Sequence, residues 1–297
     1  MTMYKRSIAA FIRLLGPVGA FPTRRTVDPD LRAMMRRLHP VNSAAGFLRL
    51  GCDGDGGYLV PDDIDGIASC WSAGVGTDSS FEADCADRGM EVFLTDGSVG
   101  GPAQPHPRFH FTQAFLGSSE TETCRTLASW MASVRSDSPQ DQLLKLDIEG
   151  AEYDVLLATP PELLAHCRVI IVEFHQLDLL WSAPFFRLAA AAIHKLLHSH
   201  ACVHIHPNNH DGVLRYRRID LPPTMEFTFL RRDRLPPAPQ WRADFPHPLD
   251  HDNAPGPSLV LPPCWYHSGA EPGSSQPSLL IGVEGVETGP PTVSLTR

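Results

Sequence analysis

Val169-Ile170-Ile171-Val172-Glu173-Phe174 is the segment that most restricts the fold. Four β-branched residues in a row, without polar alternation, describe a strand covered on both faces. Strands of that kind belong to parallel sheets flanked by helices. Neighbouring segments agree: Ile67 to Ala73, Glu91 to Thr95, Arg108 to Phe115 and Leu143 to Ile148 read as further strands. Between them Ser79 to Arg88, Thr123 to Val134 and Ala151 to Leu157 read as helices. The first has Ser79 and Glu82 in capping-box spacing and Gly89 as its stop; the last is stopped by Pro160-Pro161. Phe185 to His198 aligns Phe186, Ala190, Ile193 and Leu197 on one helical face. Cys202 to Ile205 and Met225 to Leu230 are strands with no room for a helix between them, so they pair antiparallel. The expected fold class is α/β, a mostly parallel sheet with an antiparallel terminal hairpin and helices on both faces.

The rest of the chain divides on composition. Residues 1–43 form an N-terminal helical extension, with Leu31, Met34, Met35 and Leu38 at helical spacing. At its start, Lys5 to Ile12 reads as a short amphipathic helix, because Arg13 interrupts the apolar stretch and no A-x-A site follows. Residues 44–262 carry the α/β pattern, and residues 263–297 form a Pro-, Gly- and Ser-rich tail expected to be weakly ordered. The net charge of −9 argues against broad nucleic-acid binding. No apolar run approaches the roughly 20 residues of a membrane span. Seven cysteines without a C-x-x-C pair read as reduced thiols, which points to a cytoplasmic protein.

The chemistry gathers where the strands end. Ser72-Ala73-Gly74-Val75-Gly76-Thr77-Asp78 lies between a strand and a helix, where glycines let a ligand approach the backbone and the helix offers free N–H groups. The third glycine of a dinucleotide fingerprint is missing. Asp96 closes the second strand, where an acid can accept both hydroxyl protons of a ribose. Leu143-Leu144-Lys145-Leu146-Asp147-Ile148-Glu149-Gly150-Ala151-Glu152 lifts Asp147 and Glu149 to the carboxyl edge of the sheet. Glu152 has an ordinary explanation in the helix dipole, whereas the crowding of Asp147 and Glu149 suggests a cation, a proton or a positively charged ligand. Period-2 alternation puts Glu173 and His175 on one face of the next strand. His175 is a candidate general base oriented by Glu173, and the same set could hold a metal ion. His194 and His198, at i and i+4, read as surface histidines. His204 and His206 face one side of a strand end, either as a substrate rim or as a plain exit into a turn.

Asp55-Gly56-Gly57-Tyr58, the G-x-G loop, the Lys145-x-Asp147-x-Glu149-Gly150-x-Glu152 segment and Val172-Glu173-Phe174-His175 together resemble the FkbM-like methyltransferases, over roughly residues 44 to 262. His204 to Asn209 and Glu226 to Phe229 are similar to a subgroup of that family. The resemblance implies a class I, Rossmann-like methyltransferase fold and S-adenosyl-L-methionine as cofactor. It implies an O-methyltransferase acting on a hydroxylated small molecule or sugar, with no nucleic-acid partner. Gly74 and Gly76 would bed the amino-acid end of the cofactor, Asp96 would bind its ribose, and Asp147 would lie beside the sulfonium. Asp55 and Tyr58 complete the expected cofactor set, and His175, Glu173 and Glu149 the catalytic set, with no metal assigned. Two other readings stand beside this one: a metal-dependent variant using Asp147, Glu173 and His175, and an accessory protein that binds cofactor without turnover. The subgroup's Asp-Pro or Asp-His-Thr after the second strand is replaced here by Asp96-Gly97-Ser98.

Overall fold

The computed structural model describes residues 23–134 and 141–267. The expected helix at Lys5 to Ile12 and residues 268–297 of the expected tail lie outside the described residues; the first part of that tail is ordered, Pro263–Trp265 forming a 3-10 turn with Trp265 buried in the core. Seven strands build the central sheet: β1 (Ser69–Ala73), β2 (Glu91–Thr95), β3 (Phe109–Thr112), β4 (Gln142–Leu146), β5 (Cys167–Phe174), β6 (His200–Pro207) and β7 (Met225–Arg231). Their spatial order is β6-β7-β5-β4-β1-β2-β3. β1 to β5 are parallel, and β7 runs antiparallel to both β5 and β6. The mostly parallel sheet and its antiparallel final pair are thus as the sequence pattern predicts.

Strand parity separates two cores. Leu144, Leu146, Ile170, Val172 and Phe174 face one side, where helices α1 (Asp28–Arg37), α3 (Leu127–Ser133), α4 (Glu152–Ala158), α5 (Pro161–His166) and α6 (Ala183–Ser199) are packed. Leu143, Val169 and Ile171 face the other side, covered by helix α2 (Ser80–Asp87) and a β-hairpin pairing Phe47–Leu50 with Tyr58–Pro61. Val169 through Val172 are fully buried, which is what their lack of polar alternation requires. Each such side chain contributes roughly 1.5–3 kcal/mol of transfer free energy. Trp71 is stacked on Phe93 (ring centroids 4.3 Å) and meets Trp130 edge-on (5.0 Å), fixing α3 against β1 and β2.

Several elements differ from expectation, each for a local reason. Pro161 does not only stop α4; it occupies the first turn of α5, where the missing N–H costs nothing. The strand from Arg108 ends at Thr112, and Phe115–Leu116 leaves the sheet to pair with Cys124–Arg125. The helix read from Thr123 starts at Leu127, with Thr126 as N-cap accepting from the Ser129 N–H (3.2 Å). Ser79 makes no cap bond to α2, and Glu82 turns into the core instead of closing a capping box. The packed face of α6 is rotated toward Ala189, Ala192 and Leu196: Ile193 and Leu197 are buried as expected, while Phe186 and Ala190 are only partly covered. A small hairpin, Leu214–Tyr216 with Ile219–Leu221, fills the connection from β6 to β7. No described helix is long and apolar enough to cross a membrane, and all seven cysteines are free thiols.

Candidate active site

A row of polar side chains crosses the sheet at the carboxyl end of its parallel strands. In the ladder, His206 of β6 lies opposite Glu226 of β7, and Glu226 lies opposite Glu173 of β5. Leu146 of β4 pairs with Val172, so Asp147, one residue on, continues the row beside Glu173. Directly opposite residues share a face; the row therefore lies on the side covered by the 47–61 hairpin. On its far side, Gly74 follows β1. A Cβ at Gly74 would stand 1.5 Å from the Asp147 carbonyl oxygen, and its φ is +80°. Only glycine permits this contact.

The G-x-G loop is held from beneath by a buried cation. Lys145, 3% exposed, donates from Nζ to the Gly74 carbonyl (2.7 Å) and pairs with Glu82 (3.5 Å), itself 1% exposed. Ser72 donates to the same Glu82 oxygen (2.5 Å). Burial alone would lower Lys145, but Glu82, Asp147 and Glu173 outweigh it and raise its pKa, so the ammonium persists. Asp96 sits across the loop. Its Oδ2 accepts from the N–H groups of Val75 (3.0 Å) and Gly76 (2.9 Å), and its Oδ1 from the N–H (2.7 Å) and hydroxyl (2.6 Å) of Ser98. Burial opposes ionisation, yet these bonds hold the carboxyl below its ordinary value. Above Gly76 the space is open, with no atom within 4 Å of a Cβ built there.

Beside the loop, Asp147, Glu173 and His175 converge, with ligand-capable atoms all within 4.8 Å of one another. Tyr58, fully inside the hairpin, donates its hydroxyl to Asp147 Oδ2 (2.7 Å). Asn208 donates to Glu173 Oε1 (3.0 Å). The carboxylate against His175 is Glu152 rather than Glu173: Nδ1 lies 3.1 Å from Glu152 Oε1. That oxygen also accepts from the N–H groups of Ile148 and Gly150, which makes Glu152 a fully buried brace for the 147–152 turn as well as a dipole partner. A carboxylate acceptor makes Nδ1 the donor, so that in the neutral ring Nε2 carries the lone pair. Burial would lower His175; Glu152 together with Asp147 and Glu149 raises it. Glu149 is exposed, lies 3.6 Å from Nε2, and has a left-handed φ of +56°. Burial, with Asp147 and Glu226 nearby, drives the Glu173 carboxyl well above its usual range. Burial pushes Glu226 up to about 7, although His206 and Asn253 oppose the shift.

The structure brings Gly74, Gly76, Asp96, Asp147, Tyr58, Glu149, Glu173 and His175 to one edge. Asp55 is exposed in the hairpin turn, near enough to add to the repulsion on Glu173. The strand carrying His204 and His206 ends at Pro207 and passes into a turn, one of the two expected readings, but the two imidazoles are not exposed there. Both are buried, and Asp250, which closes a turn from His247, takes His204 Nε2 at 2.8 Å and lies 3.7 Å from His206 Nδ1. His194 and His198 are exposed on α6, as expected. Sequence reading assigned no role to Lys145, Glu226, Asn208 or Asp250. A charged residue flanked by leucines in a strand otherwise buried on both faces was the available signal for Lys145.

Residues 60–199 match the family model of the methyltransferase FkbM domain, running from the second hairpin strand through α6. The resemblance read from the sequence is borne out over this segment. It takes in Gly74, Gly76, Asp96, Asp147, Glu149, Glu173 and His175, and leaves Asp55, Tyr58, β6 and β7 outside. The match supports methyltransferase activity. No curated protein matches the chain.

Proposed function

We propose that this protein is an S-adenosylmethionine-dependent methyltransferase of the class I fold, acting on a hydroxyl of a small polar acceptor. The observation that carries the reading is the strand order β6-β7-β5-β4-β1-β2-β3 with β7 reversed, combined with a carboxylate-lined edge beside the G-x-G loop. Open α/β sheets bind ligands at that edge, near the point where the strand order reverses, here between β1 and β4. The donor set fits a cationic, ribose-bearing ligand. Gly76 leaves open space, Asp147 supplies negative charge, and Asp96 stands where a ribose would lie. All four acceptor positions of Asp96 are in use, so ribose hydroxyls would take the place of the two Ser98 bonds.

When bound, the cofactor supplies an electrophilic methyl group on a sulfonium sulfur. The protein's own residues orient and exclude water. The 47–61 hairpin closes one side through Tyr58, and Lys145 fixes the loop carbonyl that sets the position of Gly74. Holding the acceptor oxygen in line with the methyl carbon supplies much of the rate, since effective molarities of oriented groups reach on the order of 10⁵ M or more. Handling of the acceptor's hydroxyl falls to Asp147, Glu173 and His175.

The test is thermal unfolding with S-adenosylhomocysteine or NAD at equal concentration. At 100-fold over its dissociation constant, S-adenosylhomocysteine adds about 2.7 kcal/mol of stability and raises the melting temperature, while NAD leaves it unchanged. A shift with NAD alone, or with neither, overturns the reading.

A further inference from the structure

We propose that Asp147, Glu173 and His175 hold a divalent metal cation at the carboxyl edge, and that this cation binds the acceptor's hydroxyl oxygen. The proposal deepens the methyltransferase reading and, for its second half, rests on it. Among the described residues these three form the one group whose imidazole and carboxylate donor atoms lie within 4.8 Å of one another.

What distinguishes them from ordinary crowded acids is how each is anchored. One atom of each group is fixed by a residue outside the trio, and another is left over. Tyr58 takes Asp147 Oδ2 and leaves Oδ1. Asn208 takes Glu173 Oε1 and leaves Oε2. Glu152 takes His175 Nδ1 and leaves Nε2, with the exposed Glu149 carboxylate 3.6 Å from it. An outer carboxylate on the far nitrogen of a ligating histidine fixes its tautomer and strengthens it as a donor. Glu152 is 0% exposed and also braced by two backbone N–H groups, so that orientation is built into the 147–152 turn.

The electrostatics point the same way. Glu173 is buried beside Asp147 and opposite Glu226, and the single nearby lysine, Lys145, is held closer to Glu82 (3.5 Å) and the Gly74 carbonyl (2.7 Å) than to Asp147 (3.9 Å), so it offsets these acids only in part. A dication relieves this excess of negative charge. Two carboxylates with one imidazole suit Mn²⁺, Fe²⁺ or Mg²⁺ better than a thiophilic ion. Three protein donors leave positions on the ion for water and an acceptor oxygen. The bound cation lowers the hydroxyl's pKa. The proton leaves to solvent past the exposed Glu149, the O–CH₃ bond forms as the methyl–sulfur bond breaks, and the electron pair of that bond stays on sulfur.

Mn²⁺ is the probe. Its titration into the full-length protein, followed by loss of the free-ion electron paramagnetic resonance signal, should show one saturable site. Glu173→Gln and His175→Gln should each weaken it at least tenfold, and Glu152→Gln roughly 10–100-fold. Melting curves and S-adenosylhomocysteine calorimetry on the same samples check that the variants fold. No saturable Mn²⁺ binding by the wild-type protein overturns the proposal, as does undiminished binding by folded Glu173→Gln and His175→Gln. Saturable Mn²⁺ binding without S-adenosylhomocysteine binding keeps the cation site and removes the methyltransferase reading; the reverse result keeps the methyltransferase and removes the cation.

Discussion

Lys145 shows how much of the site depends on one buried charge. Its ammonium ties the Gly74 carbonyl, Glu82 and, at 3.9 Å, Asp147 into one network. Removing one partner of a buried pair leaves the other uncompensated, which costs about 3–5 kcal/mol. Lys145→Met should therefore lower stability by that amount in urea unfolding, and Lys145→Met with Glu82→Leu should recover part of it. Equal stability of Lys145→Met and the wild type would contradict the network. Asp147, Glu173 and His175 were legible in the sequence because charged residues at strand ends have no packing explanation. Lys145 and Glu82 were not. Glu82 satisfied a local capping pattern with Ser79, and only the tertiary fold shows that the core claims it instead. Glu152 was read as a dipole partner, because nothing in the chain order shows that His175, 23 positions away, returns to its carboxylate.

At the scale of the element, β6 carries a pH dependence. His200, at its first position, is fully buried, with Nε2 2.8 Å from the Cys167 carbonyl of β5 and Nδ1 2.8 Å from the Ser199 hydroxyl. Burial pushes its imidazole from 6.5 down to about 4. The folded value lies below the unfolded one, so the stabilisation is present above about pH 6.5 and is lost as pH falls toward 4. Between pH 7 and pH 5 this residue should cost the wild-type protein about 2 kcal/mol. His200→Gln should flatten that part of the profile in urea unfolding at the two pH values; an unchanged slope would refute the assignment. The long buried strands and α6 were legible because their apolar periods persist over many residues. The 47–61 hairpin, α5 and the two-residue pairing of Phe115–Leu116 were not, since each is too short to show a period and is fixed by contacts with the sheet.

Across the whole molecule, three strands and two turns cooperate to make the site. His206, Glu226, Glu173, Asp147 and Gly74 come from β6, β7, β5 and the turns after β4 and β1, and only the observed strand order sets them side by side. The general α/β architecture followed from the alternation of strand and helix patterns. So did the meeting of Asp147 and Glu173 at one edge; the continuation of the row to Glu226 and His206 did not, because register across non-consecutive strands is a property of the assembled sheet. The FkbM domain match covers the part of the row from Gly74 to Glu173; β6 and β7 extend it beyond residue 199. The central claim is that a sulfonium nucleoside occupies the edge between Gly76, Asp96 and Asp147. Calorimetric titration of S-adenosylhomocysteine into the full-length protein and into Asp96→Ala tests it most directly. One site per chain in the wild type and at least tenfold weaker binding in the variant are the predicted results. An absence of binding heat in the wild type, or equal affinity in the two proteins, would contradict it.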